Sequence, residues 1–314
     1  MDMNTPEHQH FSAKLTVTLE ANKPTGELPM ELFITDEHTE HYLALQAGGD
    51  SGRGLWTGVL GGIGGCTSIG LGLMGAIQGK FDITYMMFSI GIPLFLVPLV
   101  WETLRPLPLP ILFNRRIREV YFDHEGELFH APWDDISASA HEFQLVGPHI
   151  GGMQSATLEI RVWSFEKPDT ALMVSLGSPF GKSLEMQKGF WEYIRSYMNN
   201  GPYFDEYGNN SESDAFVKNQ LSVRPRMSDS FKQTLERIKQ AKRENGGKNY
   251  LRSIDVVGLV LDLFFYPTCR IQELTYSLAK RRSRNLWPKV VTERLKANGP
   301  TARLVDLERE KSSS

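Results

Sequence analysis

Two charge-free apolar segments, separated by only four residues, dominate the pattern of this chain. They cover residues 55–78 and 83–101, and neither contains Asp, Glu, Lys or Arg. A helix of about 20 apolar residues is long enough to cross the hydrocarbon core of a bilayer. Because Gly79–Asp82 leaves room only for a tight turn, the spacing predicts an antiparallel transmembrane hairpin over residues 55–101. Two buried helices of a soluble protein are the alternative, against which the length and glycine content of the segments argue.

The first apolar segment carries small residues at helical spacing. The predicted helix-packing ridge consists of Gly58, Gly61, Gly62, Gly65 and Gly72. Such a ridge lets helix backbones approach closely in lipid, where packing drives association. We expect it to seat the second segment of the same chain, with oligomerisation or a glycine-zipper pore as alternatives. Pro93 and Pro98 are expected to kink the second segment, and the lack of ionisable residues argues against an ion or proton path.

Aromatic and basic residues near the segment ends predict the orientation of the hairpin. The expected membrane-interface anchors are Trp56, Trp101, Arg115, Arg116 and Arg118. Basic residues are enriched on the cytoplasmic side of membrane helices, so both termini and the folded parts are expected to be cytoplasmic. The polar N-terminus has no signal-peptide pattern. Cys66 and Cys269 are too far apart and too few for a disulfide framework or a zinc site.

After the hairpin, the hydrophobic pattern changes from helical to alternating. Strands are predicted at residues 120–122, 128–131, 136–146, 156–165 and 171–176, with a three- to five-residue loop in the first hairpin. A helix with one aromatic face is predicted over residues 182–199 and ends before Gly201-Pro202. A meander closed by a helix resembles the pleckstrin-homology-like architecture. Residues 13–20 and 29–34 supply strands that would complete the barrel, which makes the hairpin an insertion between strands of one domain.

The C-terminal third is basic, whereas the rest of the chain is acidic. Residues 213–314 carry 21 Lys/Arg against 11 Asp/Glu, and residues 1–54 carry 3 against 9. A charged amphipathic helix is predicted over residues 228–245. The apolar run Ile254–Tyr266 is too short to span a bilayer and ends at Pro267, so it is expected to be buried or to lie in the membrane interface.

A basic cluster follows this apolar run. It comprises Lys280, Arg281, Arg282 and Arg284, with Trp287 close behind. Contact with anionic lipid, contact with an acidic protein partner and an ordinary solvated surface all fit this pattern. No nucleic-acid-binding module accompanies the charge.

These features together predict an α+β protein. A two-helix transmembrane hairpin is inserted next to a cytoplasmic pleckstrin-homology-like β-domain closed by a helix, and a mainly helical C-terminal region follows. The predicted parts are an N-terminal segment (1–54), the hairpin (55–101), the β-rich domain (105–202), a linker (203–227), a basic helical region (228–307) and a disordered tail (308–314).

Catalytic, metal-binding and cofactor-binding motifs are missing from the sequence. There is no phosphate-binding Walker motif, no nucleophile elbow and no zinc-binding H-E-x-x-H. We therefore expect a non-enzymatic protein without cofactor, small-molecule substrate or nucleic-acid partner. The alternative, an enzyme acting at the membrane surface, would use Asp134 and Asp135 as its best-placed carboxylates.

Three motifs carry a resemblance to a known family. They are the sequence PLPILFNRRIREVYF (residues 108–122) after the glycine-rich hairpin, APWDD (131–135) and WEYIRSYMNNGP (191–202). This order resembles a family of uncharacterised inner-membrane proteins of Gram-negative bacteria, in which a two-span hairpin accompanies a conserved β-domain. The resemblance covers roughly residues 50–202.

The family's members are encoded near type VI secretion and polymorphic-toxin effector genes. The resemblance therefore implies an immunity or accessory protein for an effector toxin, with a protein as partner and the bacterial inner membrane as location. A hairpin that oligomerises or forms a pore is the alternative function.

Overall fold

The computed structural model describes residues 13–47, 53–105, 107–147, 151–167, 169–178, 181–222, 230–244, 246, 253–283 and 286–313. The chain divides into two compact units. We call residues 1–51, 108–223 and 285–314 the β unit, and residues 52–107 and 224–284 the helical unit. The chain therefore leaves the β unit twice and returns to it twice.

The β unit is built on one antiparallel sheet that curls into a half-barrel. Its strands are β1 (Ala13–Glu20), β2 (Thr35–His38), β3 (Tyr42–Leu45), β4 (Ile111–Asn114), β5 (Glu119–His124), β6 (Glu127–Pro132), β7 (Ser137–Gly147), β8 (Gly151–Ser164) and β9 (Ala171–Ser175). The strand order is β1-β7-β8-β6-β5-β4-β3-β2, and β9 pairs with β8. The predicted α+β class is confirmed, and the five strands predicted after the hairpin correspond to β5–β9.

The helices of the β unit cover both faces of the sheet. They are α3 (Leu184–Asn200), α4 (Ala215–Ser222), α7 (Lys289–Leu295) and α8 (Leu304–Ser313). Successive residues of a strand point to opposite faces, so Val120 joins the large core with Trp191 of α3, and Tyr121 joins a second core with Val291 and Leu304. The predicted aromatic face of α3 is confirmed, since Phe190, Trp191, Ile194, Tyr197 and Met198 are buried.

The apolar hairpin is an insertion between two neighbouring strands. Strand β3 pairs with β4, with Leu45 opposite Ile111. Between them lie α1 (Thr57–Ile77), which is π-helical up to Gly65, and α2 (Phe81–Leu104). Both helices are long and apolar enough to cross a membrane. The two helices therefore lie in the sequence between two paired strands of the β unit, and α2 continues as a helix through Pro93 and Pro98.

The helical unit contains two further helices. Helix α5 spans Ser230–Glu244, as predicted from its amphipathic pattern. Helix α6 spans Ser253–Arg282 and continues through Pro267. The expectation that the run ends at Pro267 is therefore wrong, since fifteen more helical residues follow and pack against α1, as described below.

Four other expectations differ from the structure. Residues 29–34 form no strand, and the shorter β2 and β3 follow them instead. Phe204, in the predicted linker, is fully buried in the large core. Residues 308–313 belong to α8 and are not a disordered tail. The hairpin β5–β6 turns at Glu125 and Gly126 alone, both with positive φ, so its loop has two residues and not three to five.

Candidate functional site

The glycine ridge of α1 has two faces, and the first of them seats α2. A Cβ atom at Gly61 would lie 2.8 Å from the ring of Phe95, and one at Gly72 would lie 2.9 Å from the ring of Phe88. At Gly65 the nearest atom is the carbonyl oxygen of Gly91, at 3.1 Å. Larger side chains at these positions would push the two helices apart, so the glycines permit the close hairpin, as the sequence indicated.

The second glycine face seats α6. A Cβ at Gly58 would lie 2.9 Å from the carbonyl oxygen of Thr268, and one at Gly62 would lie 2.9 Å from its Oγ1. At Gly54 the carbonyl oxygen of Gln272 would be only 2.5 Å away. The sequence predicted the ridge but not this third helix. A pore or oligomer built on the same glycines would have to displace these contacts within the chain.

A buried carboxylate joins the two ends of the hairpin. Glu102, near the end of α2, accepts hydrogen bonds from the backbone N–H groups of Gly54 (3.0 Å) and Thr57 (2.9 Å) and from the Thr57 hydroxyl. The first N–H groups of a helix have no partner within the helix and carry a partial positive charge. Glu102 therefore caps α1 from another helix. Its position just beyond the charge-free segment was the only sequence signal for this role.

The predicted interface anchors divide into two groups. Trp56 and Trp101 are exposed on the helical unit, and the guanidinium of Arg105 lies 5.9 Å from the Trp101 ring centre. This arrangement is compatible with a membrane-interface position.

The three other anchors form hydrogen bonds within the β unit. Arg116 donates to the carbonyl oxygens of Arg294, Gly299 and Pro300. Arg118 donates to Asp134 and Asn199, and Arg115 donates to the carbonyl oxygen of Glu40. These bonds give the arginines a structural role, and an additional membrane contact stays a prediction.

The members of the predicted basic cluster belong to different units of the chain. Lys280, Arg281 and Arg282 are exposed at the end of α6 in the helical unit. Trp287 belongs to the β unit and packs against its second core. Arg284 lies outside the described residues. Trp287 is only half-buried there, so its joint contact with the basic run stays a prediction.

Asp134, the first residue of the acidic pair in the β6–β7 connection, is bound by arginine. The Asp134 Oδ1 atom accepts hydrogen bonds from Arg118 Nε (2.9 Å) and Nη2 (2.6 Å). These bonds lower the pKa of Asp134, so it is ionised at neutral pH and poorly suited to donate a proton. Among the described residues, no group of three His, Cys, Asp or Glu is arranged to hold a metal ion.

A buried polar cluster, which the sequence did not reveal, holds α8 on the sheet. Glu119 is fully buried and accepts hydrogen bonds from His130 (3.0 Å), from the Tyr121 hydroxyl (2.8 Å) and from the backbone N–H of Leu304 (2.9 Å). The other ring nitrogen of His130 lies 3.1 Å from Glu308 of α8. Glu119 thus caps α8 in the way that Glu102 caps α1.

The two carboxylates of this cluster set the pKa of His130. Burial by itself lowers it, but the hydrogen bonds and charges of Glu119 and Glu308 outweigh burial and raise it. The two carboxylates therefore favour the charged form of His130, which offsets their mutual repulsion when it is protonated.

The connection from β1 to β2 exposes large apolar side chains. Leu28, Met30 and Phe33 are 60%, 42% and 44% exposed. Phe33 has φ +62°, which is rare for a residue with a Cβ. The buried carboxylate of Glu31 holds the loop in this shape by accepting hydrogen bonds from the N–H groups of Phe33, Ile34 and Thr35. We call Leu28, Met30 and Phe33 the apolar loop surface.

No family model, curated protein or solved structure matches the chain.

Proposed function

We propose that this chain is a membrane-anchored binding protein, whose helical hairpin spans the bacterial inner membrane and whose β unit captures a protein partner in the cytoplasm. In keeping with the resemblance described above, the partner class is an effector toxin of type VI secretion, and the role is immunity or accessory. The observation that carries this proposal is the insertion of α1 and α2 between the paired strands β3 and β4.

This insertion has a topological consequence. Because β3 and β4 are hydrogen-bonded neighbours in one sheet, both ends of the hairpin must leave the bilayer on the same side. An antiparallel pair of spans satisfies this condition, whereas a single span does not. The basic residues at the hairpin ends favour the cytoplasm for that side. The pleckstrin-homology-like identity of the β unit belongs to the same proposal, and the half-barrel sheet with a closing helix supports it.

The apolar loop surface is the proposed contact for the partner. Met and aromatic side chains are enriched in protein interfaces, whereas Lys, Asp and Glu are depleted there. Backbone strain is retained where the surroundings enforce it, and it is often found at binding surfaces. Here the strain at Phe33 is enforced by the Glu31 carboxylate, so the loop is preorganised for a partner.

The test is to purify the full-length protein from detergent-solubilised native membranes and to identify co-purifying proteins by mass spectrometry. The expected result is a stoichiometric effector encoded beside the gene. The combined change Leu28→Ser, Met30→Ser, Phe33→Ser should reduce its recovery at least tenfold. Met173→Ser, which alters an equally exposed side chain of β9, is the matched control and should not.

Three outcomes count against this proposal. Recovery of the protein without an effector contradicts the binding role. Undiminished recovery by the triple variant moves the contact away from the apolar loop surface. Loss of membrane potential on expression of residues 50–105 alone would favour the pore alternative, although the glycines it would need already seat α2 and α6.

A further inference from the structure

Helix α6 has two halves with different surroundings. The contacts to the glycines of α1 are made by Thr268 and Gln272, which follow Pro267. Further along α1, Gly64 and Gly72 meet residues of α2. The nearest contacts of α6 with these glycines therefore come from the half that follows Pro267.

The first half of α6, before Pro267, exposes almost its whole circumference as apolar surface. The side chains 36–62% exposed are Val256, Val257, Val260, Leu261, Leu263, Phe264, Phe265 and Tyr266. At about 100° per residue, they cover roughly 260° of the helix surface. The remaining narrow strip contains Asp262, and the hydroxyl of Thr234 in α5 donates to its carboxylate (2.8 Å). Phe231 of α5 contacts Tyr266, with ring centres 6.1 Å apart. Helix α5 therefore covers the one polar strip of α6.

The path of the chain excludes a full membrane crossing by α6. Ser222 and Leu286 both belong to the β unit, so the stretch between them crosses a bilayer an even number of times. Helix α5 carries seven charged residues among its fifteen and cannot be one of the crossings. The stretch of chain from α5 to the β unit contains no other apolar segment long enough to span a bilayer. A second crossing is therefore missing, and α6 does not cross either.

We propose that α5 and the first half of α6 form an interfacial hairpin on the anionic cytoplasmic leaflet. The apolar surface of α6 lies among the outer acyl segments, roughly 5–10 Å below the headgroups, and α5 lies above it. Five basic residues of α5 against two acidic ones, together with Lys280–Arg282, supply the charge complementarity to anionic phospholipid. This inference rests on the proposed membrane anchoring and adds a second, lipid-selective contact to it.

The test uses full-length protein with Cys66→Ser and Cys269→Ser, reconstituted into vesicles of phosphatidylglycerol and phosphatidylcholine. Single fluorophores are attached to Val260→Cys or Phe264→Cys in the interfacial hairpin. Val97→Cys of α2 reports on the spanning hairpin, and Lys239→Cys of α5 is the control for the charged side. Quenching by shallow acyl-chain quenchers is compared with quenching by iodide in water.

At positions 260 and 264 we expect acyl-chain quenching to exceed iodide quenching severalfold, with the opposite order at position 239. Replacing Lys239 and Arg243 by Glu should lower acyl-chain quenching at position 260, by about fivefold for each lost contact between a basic residue and an anionic headgroup. Vesicles of phosphatidylcholine alone should lower it in the same way. Quenching at position 97 should stay unchanged in both cases. Iodide quenching at position 260 together with acyl-chain quenching at position 97 overturns the interfacial hairpin and leaves the proposed anchoring standing. Iodide access at 97 overturns the anchoring as well. Protection of 260 from both quenchers indicates a protein cover and also overturns the inference.

Discussion

The carboxylate of Glu102 should determine whether the start of α1 is held to the end of α2. Replacing it by Ala removes the acceptor of three buried donors, namely the N–H groups of Gly54 and Thr57 and the Thr57 hydroxyl. A buried donor left without an acceptor costs about 1 kcal/mol or more. The sum is about 3 kcal/mol for local opening of this end, which corresponds to roughly a 150-fold change in the opening equilibrium.

Amide hydrogen exchange of the full-length protein in lipid nanodiscs measures this opening directly. In Glu102→Ala, the peptide containing residues 54–57 should exchange about 100-fold faster, while peptides from β5 and β6 keep their rates. Glu102→Gln retains one acceptor oxygen and loses the charge, so its effect should be intermediate. Val100→Ala removes an exposed side chain two residues away on the same helix and serves as the matched control. Unchanged exchange at residues 54–57 in Glu102→Ala would refute the capping role.

Three further predictions follow from the packing and the charges. Gly58→Ala should destabilise the contact of α6 with α1 by about 1–3 kcal/mol through overpacking. The measurement is the rate of thiol labelling of Cys269 in a Cys66→Ser background, which should rise. Gly70→Ala is the control and should leave this rate unchanged, because a Cβ there meets nothing within 4 Å. The raised pKa of His130 means that its stabilising charge is fully present below about pH 6.5, the unfolded value, and is lost as pH rises through the folded value. Amide exchange of α8 should therefore quicken with pH beyond the intrinsic rate, and His130→Gln should remove that excess. The double variant Asp134→Asn, Asp135→Asn should leave partner recovery and any cell phenotype intact, because Asp134 forms structural ion pairs. Loss of the phenotype in a variant that still folds would instead support the enzyme hypothesis.

The sequence predicted those helices and strands whose hydrophobic pattern is visible within a short stretch of chain. The charge-free segments of α1 and α2 and the aromatic face of α3 are each visible within a single window of sequence. Strands β2 and β3 were missed because each has only four residues, and all four residues of β2, Thr35–His38, are polar. Strand β3 pairs with β4, which lies on the far side of the hairpin in the sequence, and β2 pairs in turn with β3.

The residues of the candidate site likewise depend on contacts with segments that are distant in the sequence. Glu102 and Glu119 resemble ordinary charged residues at the ends of apolar stretches, yet each caps a helix that is remote in sequence. Pro267 predicted an end to the apolar run, but a single missing N–H donor was outweighed by the packing of Thr268 against Gly58 and Gly62. Such interactions depend on which distant segments meet, and one sequence alone does not specify this.

The Glu102 cap links the helical hairpin to the folding of the β unit. Strands β3 and β4 can pair only after the 65 residues between Leu45 and Ile111 have been closed into a loop. For a flexible chain of this length, closure costs roughly 4 kcal/mol before any constant contribution. The formed hairpin removes most of this cost, because the bonds from Gly54 and Thr57 to Glu102 already bring its two ends together. Formation of the helical hairpin should therefore precede the pairing of β3 with β4, so that the sheet is completed only after the two helices have assembled.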